Sequence, residues 1–260
     1  MDLQLTDKVV IVTGAASGIG RASARLLTEE GAIVVGVDRD PIDTEPAALV
    51  TAVQADLTDP AAPDRVIATV LEQHGRIDAI VNNAGGLQAR TSFLEITDEQ
   101  WLATFSLNFH AARRMSRAAV PAMLATGGGS LVHLGSDSAR LPEVGNLDYA
   151  AAKLALLALS TSLATEFSPQ GIRSNVVVPG PTRTPLYDRP GGFGDQAATL
   201  WGTDKETAIT RMVTEIRPLL TGRMGQPDDI AQVVAYLVSP LSHQVTAAEW
   251  SVDGGAQRHI

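Results

Sequence analysis

Apolar runs of strand length alternate with helical periodicities along almost the whole chain. Val9–Thr13 is continuously apolar and predicts a buried strand. Residues 19–30 follow with Ile19, Ala22, Leu26 and Leu27 on one face of a helix. Strands are predicted over 32–37 and 49–55, a helix over 64–73, and a short strand over 78–81. Thr97 and Gln100 make a capping-box pattern that opens a long helix from 98 to about 124, with Pro121 kinking or ending its last turn. A strand over 130–134, a helix from about 149 to 167, a strand over 172–178, a helix near 228–238 and a strand near Glu249–Val252 complete the pattern.

Strands that are apolar throughout, without polar alternation, are buried on both faces. About seven of them with intervening helices predict an α/β chain, a single domain over 1–260 built on a Rossmann-type doubly wound parallel sheet. One stretch breaks the rhythm. No strand is evident over 184–222, and Pro185, Pro190, Gly191, Gly192, Gly194 and Gly202 punctuate its first half. A connection that long in a compact domain is usually functional, so it is expected to be a substrate lid. Ile209, Met212, Val213 and Ile216 keep helical spacing, so part of it should fold.

The first strand runs into Thr13-Gly14-Ala15-Ala16-Ser17-Gly18-Ile19-Gly20. Glycines there let the chain turn sharply and let a pyrophosphate approach the N-terminus of the next helix. The spacing Gly-x-x-x-Gly-x-Gly differs from the commonest dinucleotide fingerprint, but the strand before and the helix after supply its context. Asp38 ends the second strand 18 residues after Gly20, where a carboxylate accepts hydrogen bonds from an adenosine ribose. It would repel a 2′-phosphate, so NAD is expected over NADP. Ser17 stands where a basic side chain could have met that phosphate, whereas Arg39 beside Asp38 keeps NADP as the lesser alternative.

Composition narrows the chemistry. The chain has no cysteine and five scattered histidines, which leaves no thiolate nucleophile and suggests no metal site. Its 20 basic and 29 acidic residues give a formal charge of −9, and aromatics are 4%, so no nucleic-acid partner is expected. The polar start Met1 to Lys8 lacks the apolar core of a signal peptide. No apolar run approaches the ~18 residues of a membrane span. The expectation is a soluble cytoplasmic protein without a membrane partner.

Tyr149 and Lys153 lie four apart on one helical face. Lowering a tyrosine pKa by ~3 units requires about 4 kcal/mol of preferential phenolate stabilisation. One cation at ~4 Å in an effective dielectric of ~20 supplies about that much. Lys153, helped by an oxidised nicotinamide, is therefore sufficient in magnitude. Ser136 follows a predicted strand and precedes Tyr149 by 13 residues, which sets a hydroxyl at the sheet edge where ligands bind. Asn82-Asn83-Ala84-Gly85 ends another strand. Asn108 sits inside a predicted helix, a poor place for Asn, and reads equally as an organiser of water and as a satisfied core amide.

Together, Thr13-Gly14-x3-Gly18-Ile19-Gly20, Asn82-Asn83-Ala84-Gly85, Asn108, Ser136, Tyr149-x3-Lys153, Pro179-Gly180 and Val252-Asp253-Gly254-Gly255 resemble the short-chain dehydrogenase/reductase family. The type is the bacterial 3-oxoacyl-reductase-like one, and the resemblance covers essentially the whole chain. It implies Tyr149 as acid/base, Lys153 lowering its pKa and holding the nicotinamide ribose, Ser136 bonding the substrate oxygen, and Asn108 anchoring a relay water. It implies Asp56 and Leu57 beside the adenine, and Asn83, Ala84 and Gly85 along the cofactor. Pro179, Gly180 and Thr184 would border the nicotinamide amide.

The activity so implied is NAD(H)-dependent interconversion of a small-molecule secondary alcohol and ketone. The alternative is an NADPH-dependent 3-oxoacyl thioester reductase. Ser138 is a second hydroxyl near Ser136, and spacing favours Ser136. Val245-Thr246-Ala247 stands where the family usually has Thr-Gly, so that turn is expected to differ. The surplus of apolar residues on the helices at 98–124 and 149–167, together with the family's habit, implies a homodimer or homotetramer.

Overall fold

In the computed structural model, residues 2–43 and 51–258 are described. Among the described residues seven strands form one sheet: β1 (Val9–Thr13), β2 (Ile33–Asp38), β3 (Thr51–Gln54), β4 (Ala79–Asn82), β5 (Gly129–Leu134), β6 (Ile172–Pro179) and β7 (Glu249–Val252). Their order is β3-β2-β1-β4-β5-β6-β7, and every pairing is parallel. The chain winds outward from β1 in both directions, so a crevice opens beyond the carboxyl ends of β1 and β4, where ligands bind in such sheets. The strand expected over 49–55 reduces to Thr51–Gln54, and residues 49 and 50 lie outside the described residues.

Alternation along the strands divides the core into two layers. Val10, Val12, Val34 and Val81 face helices α1 (Gly18–Glu29) and α9 (Pro227–Val238), meeting Leu27, Ile230 and Val234. Ile11, Val35, Ile80 and Leu131 face α2 (Ala62–His74) and α4 (Ala111–Ala125), meeting Val66, Met115 and Met123.

The helix expected from 98 to about 124 is not continuous. It divides into α3 (Asp98–Phe105), a π turn over Ser106–His110, and α4. The cause is Asn108, whose side-chain amide donates to the Thr104 carbonyl at 3.0 Å. In an α-helix that carbonyl serves the backbone N–H of residue 108, so the ladder widens by one residue. Pro121 does not end the helix, because α4 runs through it to Ala125.

Helix α5 (Leu147–Phe167) packs against β6. By length and composition it is apolar enough to cross a membrane, which the sequence reading had not anticipated. Its apolar surface serves the fold instead: Leu156, Leu157 and Ala164 are buried, and so are the charged Asp148 and Lys153.

The 184–222 segment folds as three short helices, α6 (Pro185–Asp188), α7 (Phe193–Trp201) and α8 (Lys205–Arg211), the last continuing into a π turn over Met212–Ile216. An isolated parallel bridge between Thr182 and Gly225 closes its base. Ile209 and Val213 form a small core with Leu219 and Met224, as the helical spacing predicted, while Ile216 stays exposed. Arg183 clamps the segment by hydrogen-bonding Asp188 and Glu206. In the turn before β7, Ala247 takes a left-handed backbone at φ +56°.

Candidate active site

The crevice begins with Thr13 at the end of β1. Its hydroxyl accepts from the backbone N–H groups of Asn83 and Ala84, both at 3.0 Å, and Asn83 Nδ2 donates back to the Thr13 and Gly14 carbonyls. These bonds stitch the end of β4 to the glycine loop. Gly14 and Gly18 take φ values of +68° and +54°, which a side chain would disfavour. A Cβ on Gly20 would collide with the Gly14 carbonyl oxygen. Ser17 is the N-cap of α1, yet its side chain caps nothing, so the first N–H groups of the helix are left for an anion.

Asp38 stands beside that loop. One carboxylate oxygen accepts from Ala16 N at 2.9 Å and the other from Asp40 N at 3.1 Å. A carboxylate has lone pairs for about four bonds, so it keeps capacity for hydroxyl donors from a ribose. Arg39 is exposed and lies 3.8 Å from Asp40. Asp56 and Leu57 close this end of the crevice, with the Asp56 carboxylate bonded to the Thr58 hydroxyl and N–H. Those bonds hold the carboxyl below its ordinary range.

At the other end, β5 delivers Ser136 and α5 delivers Tyr149 and Lys153, all facing one cleft of about 680 Å³. Ser17, Gly18, Ile19, Pro179, Gly180 and Thr184 line the same cleft, as do Ala84 and Gly85. Asn108 lies behind it, 2% exposed, with its amide bonded both ways to Gly86 and also to Thr104. Gly85 leaves the space they need: a Cβ there would come within 2.9 Å of Asn108 Oδ1 and 3.3 Å of Lys153 Nζ. Ser138, the competing hydroxyl, accepts from Asn146 Nδ2 at 3.1 Å.

In the protein alone, the electrostatics at Tyr149 favour the neutral phenol. Burial pushes its pKa up to about 12, the Ser136 hydroxyl opposes that rise, and Asp137 adds to it. Lys153 does not lower it in the protein alone, because the ammonium is turned to the Leu134 carbonyl at 2.7 Å and stands 5.6 Å from the ring centroid. Lys153 is itself 3% exposed, and burial brings its pKa down to about 8.

Four residues that sequence reasoning passed over belong to this cleft. Asp137, 3% exposed, has its pKa raised to about 6 by burial against the opposing charge of Arg217, whose Nη2 lies 3.0 Å away. Arg217 also approaches Glu143, at 3.8 Å, and Tyr187 lines the cleft from α6. Adjacency to Ser136 was a signal for Asp137. Nothing local marks Arg217, which lies 80 residues further on and joins the site only through the tertiary fold.

A glycine cradle at a helix N-terminus, a carboxylate at the end of β2 and a Ser–Tyr–Lys set in one crevice define a dinucleotide-binding oxidoreductase. The family model described as enoyl-(acyl carrier protein) reductase matches residues 14–257. The 3-oxoacyl-[acyl-carrier-protein] reductase FabG of Thermotoga maritima is 32% identical, over 97% of this chain and 99% of its own. The 2,3-dihydro-2,3-dihydroxybenzoate dehydrogenase of Bacillus subtilis is 33% identical, over 96% and 95%. The L-sorbose reductase of Gluconobacter frateurii, solved with NADPH and L-sorbose, superposes with a TM-score of 0.92 at 31% identity, over the full length of both chains. The chain belongs to the short-chain dehydrogenase/reductase family and is a pyridine-nucleotide-dependent alcohol/ketone oxidoreductase.

Proposed function

We propose that the protein interconverts a small secondary alcohol and its ketone with NAD(H) as the preferred cofactor, Tyr149 carrying the proton. The observation behind the cofactor choice is Asp38, fixed against the glycine loop at Ala16 N, where a 2′-phosphate would meet a carboxylate. When bound, the nicotinamide supplies the hydride acceptor or donor. Gly14, Gly18 and Gly20 would leave the backbone room for its pyrophosphate, and Lys153 would hold the nicotinamide ribose.

Tyr149 donates to or accepts from the substrate oxygen, Ser136 holds that oxygen, and Asn108 supports a relay of water to Lys153. The 184–222 segment acts as the lid that excludes bulk water. Exposed Leu102 on α3 and Leu154 on α5 support association into a homodimer or homotetramer, read by light scattering. The inferred compartment is the cytoplasm, without a nucleic-acid or membrane partner.

The test is turnover of a panel of secondary alcohols and ketones, with NADH and NADPH dissociation constants measured alongside. Tighter NADH binding and a loss of about 10²–10⁴-fold in Tyr149→Phe are expected. A fully active Tyr149→Phe sinks the acid/base assignment. A second reading, NADPH-dependent reduction of a 3-oxoacyl thioester, draws on the likeness to the Thermotoga reductase and on Arg39 beside Asp38. Tighter NADPH binding would favour it.

A further inference from the structure

Ser136 has one proton and three neighbours that could take it: Asp137, a Tyr149 phenolate and a substrate oxygen. The hydrogen bonds around it allocate that proton. Ser136 Oγ accepts from the Ser138 backbone N–H at 3.2 Å, a group that can only donate. It donates to Asp137 Oδ1 at 3.3 Å, and an ionised carboxylate can only accept. The other lone pair of Oγ faces the Tyr149 phenol, with which Ser136 also hydrogen-bonds, and a bound substrate oxygen would come between the two. Arg217, at the end of the π turn that follows α8, enters from the 184–222 segment to set its Nη2 3.0 Å from Asp137 Oδ2, with both atoms buried.

We infer that Asp137 is a positioning residue that takes the Ser136 proton and presents Ser136 to the substrate as a hydrogen-bond acceptor, so that the bound alcohol is favoured over the bound ketone. Arg217 keeps Asp137 in the ionised form that does this. The inference rests on the oxidoreductase reading proposed above and adds a directional preference to it. With Tyr149 protonated, an alcohol oxygen satisfies both neighbours: it accepts from Tyr149 and donates to Ser136. A ketone oxygen can only accept, and it meets Ser136 lone pair to lone pair. The pKa of about 12 at Tyr149 is consistent with a protonated phenol. The charged and titratable groups around Asp137 are Arg217, Glu143 beyond it, Tyr149, Tyr187 and Asp253.

The experiment takes cyclohexanol/cyclohexanone, 1-phenylethanol/acetophenone and 2,3-butanediol/acetoin, and measures KM and product-inhibition constants at both ends of each pair that is turned over. Removing Asp137 alone would strand the buried Nη2 of Arg217, so the double variant Asp137→Leu/Arg217→Met is used beside Arg217→Met. The ratio of ketone KM to alcohol KM is expected to fall about ten-fold in the double variant, the upper end of what one neutral hydrogen bond contributes. Arg217→Met should show a smaller fall at pH 7 that disappears at pH 9, where Asp137 is ionised without help.

An unchanged ratio, or both KM values rising by one common factor, overturns the inference while leaving the oxidoreductase reading intact. If no pair is turned over, the oxidoreductase reading fails first and takes this one with it.

Discussion

Lys153 gives its ammonium to the carbonyl of Leu134, 2.7 Å away at the carboxyl end of β5. The bond fastens α5 to the sheet at the point where Tyr149 must face Ser136, one helical turn earlier. It also keeps a cation in a place where only 3% of the residue reaches solvent. The fold therefore holds a buried ammonium, and stability should respond to pH accordingly.

Burial brings the Lys153 pKa down to about 8, against an ordinary value near 10.4. Below pH 8 the group is charged in both states, so the cost of burying it is fully present. Between about pH 8 and 10.4 the unfolded chain still holds the proton and the folded one releases it, so stability rises with pH. Lys153→Met lacks this response. Urea denaturation of the two proteins should show the parent gaining up to about 3 kcal/mol on the variant from pH 7 to pH 10. A constant difference would mean that Lys153 titrates normally.

Gly20 marks the tightest point of the nucleotide cradle. A Cβ there would press on the Gly14 carbonyl oxygen and lie 2.5 Å from Asn83 Nδ2, so the bonds joining β1 to β4 would have to give. Gly20→Ala should cost about 3 kcal/mol or more and weaken NADH binding, as read by urea denaturation and by quenching of intrinsic fluorescence. At Gly145 a Cβ would find only the Arg90 carbonyl oxygen, at 3.7 Å, so Gly145→Ala should be mild and serves as the control.

What could be read in the chain beforehand was what short-range pattern encodes. Continuous apolar runs gave β1, β4 and β6 to within about two residues, because strands buried on both faces leave no polar positions to confuse the period. Gly14, Asp38, Ser136, Tyr149 and Lys153 lie at fixed spacings from strand ends, and the fold gathers them at one crevice. The break in the helix at Asn108 was hidden, because it depends on a side-chain bond to Thr104 that no periodicity reports. The Asp137–Arg217 pair was hidden for the same kind of reason. Its partners meet only when the 184–222 segment folds back over β5.

Arg90 and Asp148 form another such pair, 8% and 1% exposed at their side chains. Burial alone would push the Asp148 carboxyl up, but hydrogen bonds from Arg90 and Thr104 outweigh it and hold the pKa below its ordinary value. Asp148 immediately precedes Tyr149, so the pair fixes the first turn of α5. Arg90→Met leaves that carboxylate buried without its cation and should cost about 3–5 kcal/mol in urea denaturation. A loss under 1 kcal/mol would show that Thr104 suffices.

Ala247 holds a left-handed backbone, φ +56°, in the turn that leads to β7. Its N–H donates to the Ser174 carbonyl at 2.8 Å, so the conformation is imposed by the pairing of this turn with β6. A left-handed conformation costs a residue with a Cβ roughly 1–2 kcal/mol, and glycine is spared that cost. Glycine gives back roughly 0.5–1 kcal/mol through the greater freedom of its unfolded chain. The balance favours Ala247→Gly by about 0.5–1 kcal/mol. For a chain of this length that is a rise of about 1–4 °C in melting temperature. The turn is remote from Ser136 and Tyr149, so turnover should stay unchanged. A lower melting temperature would mean that the Ala247 methyl group makes a packing contribution larger than the strain it carries.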